Sequence, residues 1–342
     1  MCKQIRIQRL NGRCTPTVVL LGFLIVCGGE LRAAALVKLS PQGYSPLTKT
    51  LLIRSTNRSD LEGRSFLLIY DEVSRSAKRV AVPGNRALFD VAWVPGRPAF
   101  VVTDLEQVIL FQKDTSGDSY TPALIQCLGG ALPSHCSWSP GGQWLAVNCL
   151  SQANVTRGAL WLCRFGDEAL RDTGVALDYR PLAWGNESLL YGTKDNSVLA
   201  IKLTGERASV ARTVPLWGEL SVFYGMLGEQ PLTLSDRQIL RLGEKMVVPL
   251  VDYRSAKFRV MATEKIIFAS VSSGYLGAFD TAGNEIARRS PGRLIEFGSL
   301  KDPNTVYGLA DSSLVCLSVA EGTLKSQTVA DLEKVKQIGP DR

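Results

Sequence analysis

Short apolar runs recur along almost the whole chain, each parted from the next by a few polar or turn-forming residues. Pairs of them read Leu51-Leu52-Ile53 with Phe66-Leu67-Leu68-Ile69-Tyr70, Phe100-Val101-Val102 with Val108-Ile109-Leu110-Phe111, and Leu145-Ala146-Val147 with Leu160-Trp161-Leu162. The pairing continues through Leu189-Leu190-Tyr191 with Val198–Ile201, Ile266-Ile267-Phe268 with Leu276–Phe279, and Val306–Leu309 with Leu314–Leu317. Such runs are too short for helices and rich in β-branched and aromatic residues, which predicts strands. Continuous apolarity, in place of in-out alternation, predicts that both faces of each strand are covered. More polar stretches such as Arg79-Val80-Ala81-Val82 follow the pairs and predict outer edge strands. Helical periodicity is essentially absent beyond residue 35.

A longer period lies over this pattern. Val91-Ala92-Trp93-Val94-Pro95-Gly96, Cys136-Ser137-Trp138-Ser139-Pro140-Gly141-Gly142 and Leu182-Ala183-Trp184-Gly185-Asn186 each end a run on tryptophan and enter a tight turn, with the tryptophans 45 and 46 residues apart. Tyr44-Ser45-Pro46 repeats the motif with tyrosine in the aromatic slot, and later copies place Phe223, Val260 and Phe297 there. Repeats of this length, each with four strand signals, predict an all-β fold: a seven-bladed β-propeller of four-stranded antiparallel blades. The propeller is expected over residues 36–342, with blades starting near 44, 93, 138, 184, 223, 260 and 297. In the turn at 139–143, Pro140 pre-sets φ and Gly142 can take the positive φ that closes a hairpin. Trp93, Trp138 and Trp184 are expected to be structural, packed between adjacent blades, and Trp144 and Trp161 are read the same way. Closing the ring removes exposed sheet edges and joins repeats that are unstable singly.

Charge changes the picture only at the N-terminus. The chain carries a formal +7, of which residues 1–35 supply +4 through Lys3, Arg6, Arg9, Arg13 and Arg32 against Glu30. The near-balanced remainder has no Lys/Arg run and no basic stripe interleaved with aromatics, which argues against nucleic acid as a partner. A basic stretch ending near Arg13, an apolar core from Val18 to Cys27, and Ala33-Ala34-Ala35 form the three-part layout of a cleavable signal peptide over residues 1–35. The apolar core is about ten residues, short of the ~20 that span a bilayer, so no membrane span is expected after cleavage. Export to the periplasm or exterior is the expectation. Alternatives are a lipoprotein modified at Cys27, where the bulky Val26 fits poorly, and an uncleaved anchor.

Of the cysteines beyond residue 35, Cys127, Cys136, Cys149 and Cys163 cluster, and Cys316 stands apart. Cys149–Cys163 with Cys127–Cys136 is the most plausible disulfide pairing, and five small buried hydrophobes are the alternative. With His135 the only histidine and no C-x-x-C spacing, no metal site is expected. Nucleophilic systems need a histidine in reach of the nucleophile. Here Cys136 should point to the opposite sheet face from its neighbour His135. No G-x-S-x-G elbow, phosphate-binding loop or H-E-x-x-H pair occurs, so no catalytic residue is assigned and no cofactor is expected. Asp90, Asp104, Asp195, Asp236, Asp280 and Asp311 could supply a carboxylate pair for a channel-located enzyme. A different pattern lies in the segments entering the first strands, which should gather around one channel mouth. Arg86, Arg180, Arg254 and Arg293 fall there, and Trp217 occupies a fifth such segment. Converging arginines suit carboxylate or phosphate groups. Sequons at Asn57, Asn154 and Asn186 would matter only in a glycosylating host.

The stretch Trp138-Ser139-Pro140-Gly141-Gly142-Gln143-Trp144-Leu145-Ala146-Val147 resembles the W-S-P-D-G-x-x-[IL]-A-[FV] core of TolB-like propeller repeats, with Gly141 in place of the usual aspartate. Gly274–Asn284 is similar to the repeats of pyrroloquinoline-quinone-type and outer-membrane-assembly propellers. Fold-level likeness of this kind spans many functions. It implies an exported, non-catalytic module binding another protein, or an anionic peptide or glycan, within an envelope complex. The competing expectation is an enzyme or quinone-binding propeller with its site in the channel.

Overall fold

The chain forms a ring of seven antiparallel four-stranded sheets. The computed structural model describes residues 37–57, 65–83, 88–104, 106–115, 117, 119–127, 131–216, 222–227, 230–235, 239–243, 245–249, 258–262, 265–271, 275–289, 295–302, 304–310 and 312–332. Residues 1–36, which include the expected signal segment and Cys27, lie outside them. In every sheet the four strands follow one another in sequence, from the channel outward. The innermost strands are Val37–Ser45, Leu88–Trp93, Leu132–Trp138, Ala183–Asn186, Val222–Leu227, Phe258–Ala262 and Glu296–Asp302. The outer strands, such as Ser76–Val80, Arg207–Pro215 and Thr323–Asp331, are largely exposed. Blades 2 and 3 are additionally joined at their rims, where Ala169 and Leu170 pair in parallel with Gln126 and Cys127.

The continuous apolar runs are explained by alternation. In blade 2, Phe100, Val102, Ile109 and Phe111 pack toward blade 1, while Val101, Val108 and Leu110 pack toward blade 3. Successive side chains on a strand point to opposite faces, and here each face meets a neighbouring blade. Among the described residues seven apolar clusters result, one per seam between consecutive blades. The aromatic-slot residues all face backward. Trp93, Trp138, Trp184, Phe223, Val260 and Phe297 each pack in the cluster shared with the preceding blade, and Tyr44 packs against blade 7. The Trp93 indole N–H donates to the Gly43 carbonyl at 3.0 Å, and that of Trp184 to the Ser137 carbonyl at 3.2 Å. Gly142 sits in the turn after Trp138 at φ +66°, where a Cβ would stand 2.6 Å from the Pro95 carbonyl of blade 2.

The seventh seam closes the ring. Among the described residues no strand is exchanged there: blade 1 is built from the first four described strands and blade 7 from the last four. Side chains do the joining. Leu39, Leu51, Ile53 and Leu68 pack on Tyr307, Leu309, Leu314 and Leu332. The Tyr44 and Tyr307 rings lie 5.4 Å apart. Glu72 of blade 1 accepts from the Tyr44 hydroxyl at 2.6 Å and pairs with Lys301 of blade 7. At Gly298 the backbones approach so closely that any Cβ would collide with Pro41.

The proposed disulfides are not formed. Cys136, Cys149, Cys163 and Cys316 carry free thiols. Cys149 pairs with Ala159 and Cys163 with Leu145, so four residues of register separate the two cysteines. At about 3.3 Å per residue they are ~13 Å apart along the strands, beyond the ~7 Å that a disulfide spans between Cα atoms. Cys136 has a free thiol as well, so it is not bonded to Cys127, whose side chain lies outside the described residues. Cys136, Cys149 and Cys163 instead fill the seam between blades 2 and 3 as small apolar groups.

Candidate binding site

Antiparallel order sorts the connections onto two ends of the ring. Segments entering the innermost strands share one end with the loops between second and third strands, and the remaining turns share the other. At the first end, residues from blades 1 to 3 meet. Arg54 comes from the second strand of blade 1, Asp90 and His135 from the innermost strands of blades 2 and 3, and Tyr179 and Arg180 from the segment leading into blade 4.

Asp90 is the hub. Its carboxylate accepts the Val91 N–H at 2.9 Å and, across the seam, the Cys136 N–H at 3.1 Å. His135 Nδ1 lies 3.5 Å from the same carboxylate, and the imidazole packs at a tilt against Tyr179 with centroids 5.0 Å apart. Arg54 donates from Nη1 to the Leu88 carbonyl at 3.1 Å. Burial pushes the Tyr179 phenol up, and Arg54, Asp90 and Arg180 are the charges it senses. Arg180 itself is exposed. Two guanidinium groups and one carboxylate therefore act on the Tyr179 phenol, and the oxygens of that carboxylate already serve backbone amides. Planar guanidinium forks in this setting suit bidentate recognition of carboxylate or phosphate.

The segment carrying Arg180 is pinned from below. Asn148, buried in the second strand of blade 3, donates from Nδ2 to the carbonyls of Asp178 at 2.7 Å and Arg180 at 3.1 Å. A Cβ on Gly158 would stand 2.5 Å from the Asn148 Oδ1, so glycine is what admits this side chain. The arrangement recurs: Thr103 Oγ1 donates to the Ser134 carbonyl of blade 3 at 2.6 Å, and Ser270 Oγ accepts the Ile295 N–H at the entry to blade 7. A polar residue late in an otherwise apolar second strand holds the connection into the next blade. That interruption is the sequence signal for Asn148; Arg54 and Tyr179 carry no comparable signal.

Of the five rim residues expected from sequence, the structure places Arg180 at this mouth. Arg86, Trp217, Arg254 and Arg293 lie outside the described residues. Three of the aspartates considered for a channel enzyme are dispersed in turns. Asp104 accepts the Glu106 and Gln107 amides, Asp280 accepts those of Ala282 and Asn284 at the opposite end, and Asp195 sits at φ 47° in a hairpin turn. Asp236 and Asp311 are outside the described residues. Cys136 is buried behind His135; burial first, then the Asp90 charge, pushes its thiol well above the ordinary range. Such a thiol offers no thiolate near neutral pH. No group of three or more metal-ligating side chains occurs among the described residues, and no described helix is long and apolar enough to cross a membrane.

No protein-family model matches the chain, and no curated protein matches it. Among solved structures it is similar to a chain of "Crystal Structure of Mitotic Checkpoint Complex", with 10% identity, a TM-score of 0.49, and coverage of 74% of this chain and 86% of that one. The seven-bladed architecture stands on the strand order and the seven seam clusters themselves.

Proposed function

We propose that this protein is an exported, non-catalytic propeller that holds an anionic segment of a partner protein, peptide or glycan at the mouth formed by Arg54, His135, Tyr179 and Arg180. The observation that carries the reading is the meeting of the Tyr179–Arg180 segment, fixed by Asn148, with Arg54 of blade 1 and His135 of blade 3, whose ring lies 5.0 Å from that of Tyr179. The basic–apolar–small layout of residues 1–35 and the TolB-like character of Trp138–Val147 support an envelope or extracellular setting. An enzyme in the channel would draw on the Asp90–His135 contact. Asp90, however, is committed to two backbone amides across a seam, which suits a positioning role in the ring better than proton transfer. The test is an affinity pull-down from the extracytoplasmic fraction with the full chain and with an Arg180→Glu variant. The reading expects specific partners with the native chain and their loss with the variant. Identical partners from both would remove it.

A further inference from the structure

The opposite end of the ring carries a second unusual surface, centred on blade 1. Leu47, in the turn between its first two strands, is 58% exposed, and Val73, in the turn between its last two, is 74% exposed. Leu300, near the end of the innermost strand of blade 7, is 42% exposed. The three belong to one neighbourhood. The Glu72 N–H donates to the Lys49 carbonyl at 3.0 Å, tying the two turns together, and Lys301, beside Leu300, pairs with Glu72.

Cations surround these side chains for a reason other than turn formation. Lys49 and Arg75 hold φ of 51° and 55°, backbone that side chains adopt at a cost. In turns at the same end of other blades glycine takes the left-handed position, as at Gly96, Gly142, Gly205 and Gly243, with Glu321 of blade 7 at φ 53° the exception among the described residues. Blade 1 keeps a long basic side chain in both turns instead. The acids of these turns are engaged: Asp71 accepts the Val73 and Ser74 amides, and Glu72 is held by Lys301 and Tyr44. Outward, the surface is apolar and cationic. It is also concave. Beside it toward blade 2 runs a groove of about 500 Å³ lined by Ile69, Val80 and Tyr120, with one acid, Asp71, against three cations, Lys78, Arg79 and Lys113.

We propose that this face of blade 1 is a second docking surface, for an extended acidic segment of a partner protein. Apolar side chains of the segment enter the groove and its carboxylates meet Lys49, Arg75 and Lys78. Grooved relief fits a chain segment better than it fits the flat surface of an anionic bilayer. The inference is independent of the mouth reading, since it rests on the other end of the ring, and with both sites the protein would bridge two partners.

The test selects a random short-peptide display library on the immobilised full chain, then measures synthetic copies of the enriched peptides by fluorescence anisotropy. Enrichment of peptides combining Asp or Glu with Leu, Ile or Phe is expected. The double variant Lys49→Gly/Arg75→Gly is expected to weaken them about tenfold or more, while melting at or above the native temperature because glycine relieves both strained positions. A purely structural role for the two cations would not produce that opposition. Equal affinity for native chain and variant, or enrichment of basic or uncharged peptides, would overturn the proposal. So would co-sedimentation with phosphatidylserine vesicles that the variant abolishes, which would assign the face to a membrane.

Discussion

Replacing Glu72 by alanine strikes the seam that closes the ring without strand exchange among the described residues. Three groups lose their anion: the Tyr44 hydroxyl at 2.6 Å, the Lys301 ammonium, and Tyr307 beside them. Glu72 and Lys301 side chains are 26% and 30% exposed, so this pair lies between surface and interior. Exposed ion pairs contribute about 0–1 kcal/mol and breaking buried ones costs roughly 3–5 kcal/mol, which brackets the loss at about 2 kcal/mol. Unfolding entropy near 2.1 cal/mol/K per residue over roughly 300 residues converts this to a melting-temperature drop of about 3 °C. The pH dependence is the sharper signature. Burial pushes the Glu72 carboxyl up, but hydrogen bonds from Lys301, Tyr44 and Tyr307 outweigh it and hold the group below its ordinary 4.5. A depressed carboxyl stabilises the fold above its unfolded value, and the stabilisation is lost as pH falls through the folded one. Calorimetry of native and Glu72→Ala chains should therefore show the gap in full at pH 7 and its progressive narrowing as pH falls below 4.5 and through the depressed folded value. A gap unchanged at low pH, or none at pH 7, would refute the assignment of Glu72 as a closing residue.

Other outcomes follow from single contacts. Trp93→Phe is expected to cost about 1 kcal/mol more than Trp138→Phe in chemical denaturation. Trp93 donates to the Gly43 carbonyl, whereas the buried Trp138 Nε1 finds no acceptor among the described residues. Asn148→Ala should speed amide exchange over residues 179–182 and destabilise the chain by about 2 kcal/mol, since two carbonyls lose their donor. Reducing agent should leave the melting temperature unchanged, and Cys136, Cys149 and Cys163 should resist iodoacetamide in the native chain at pH 8. All three are buried, and burial, with the nearby Asp167 charge, pushes the Cys163 thiol up to about 12.

The fold was legible because its physics is local and repeated. Runs such as Phe100-Val101-Val102 announce two covered faces, and the Trp-turn motif marks where each sheet begins. The cysteines misled because neighbouring strands are not the same as facing residues. Register decides, and the bulge between Leu150 and Ser151 together with the length of the hairpin sets it in ways that spacing alone does not reveal. Arg180 could be placed from its position before a first strand. Arg54 and Tyr179 could not, because their meeting depends on how three blades are rotated about the axis. Lys49 and Arg75 were hidden for another reason: nothing in Thr48-Lys49 or Ser74-Arg75 signals left-handed backbone, which glycine elsewhere advertises.

Zero-length carbodiimide coupling tests the central claim most directly, because it joins only amines and carboxylates already in contact. Glu72 and Lys301 are 229 residues apart in the chain and form an ion pair solely if blade 7 packs on blade 1. Mass spectrometry of the digested monomer is expected to find the Glu72 peptide linked to the Lys301 peptide. Recovery of that link only from dimers, or its absence while other contacting pairs couple, would contradict a closed ring.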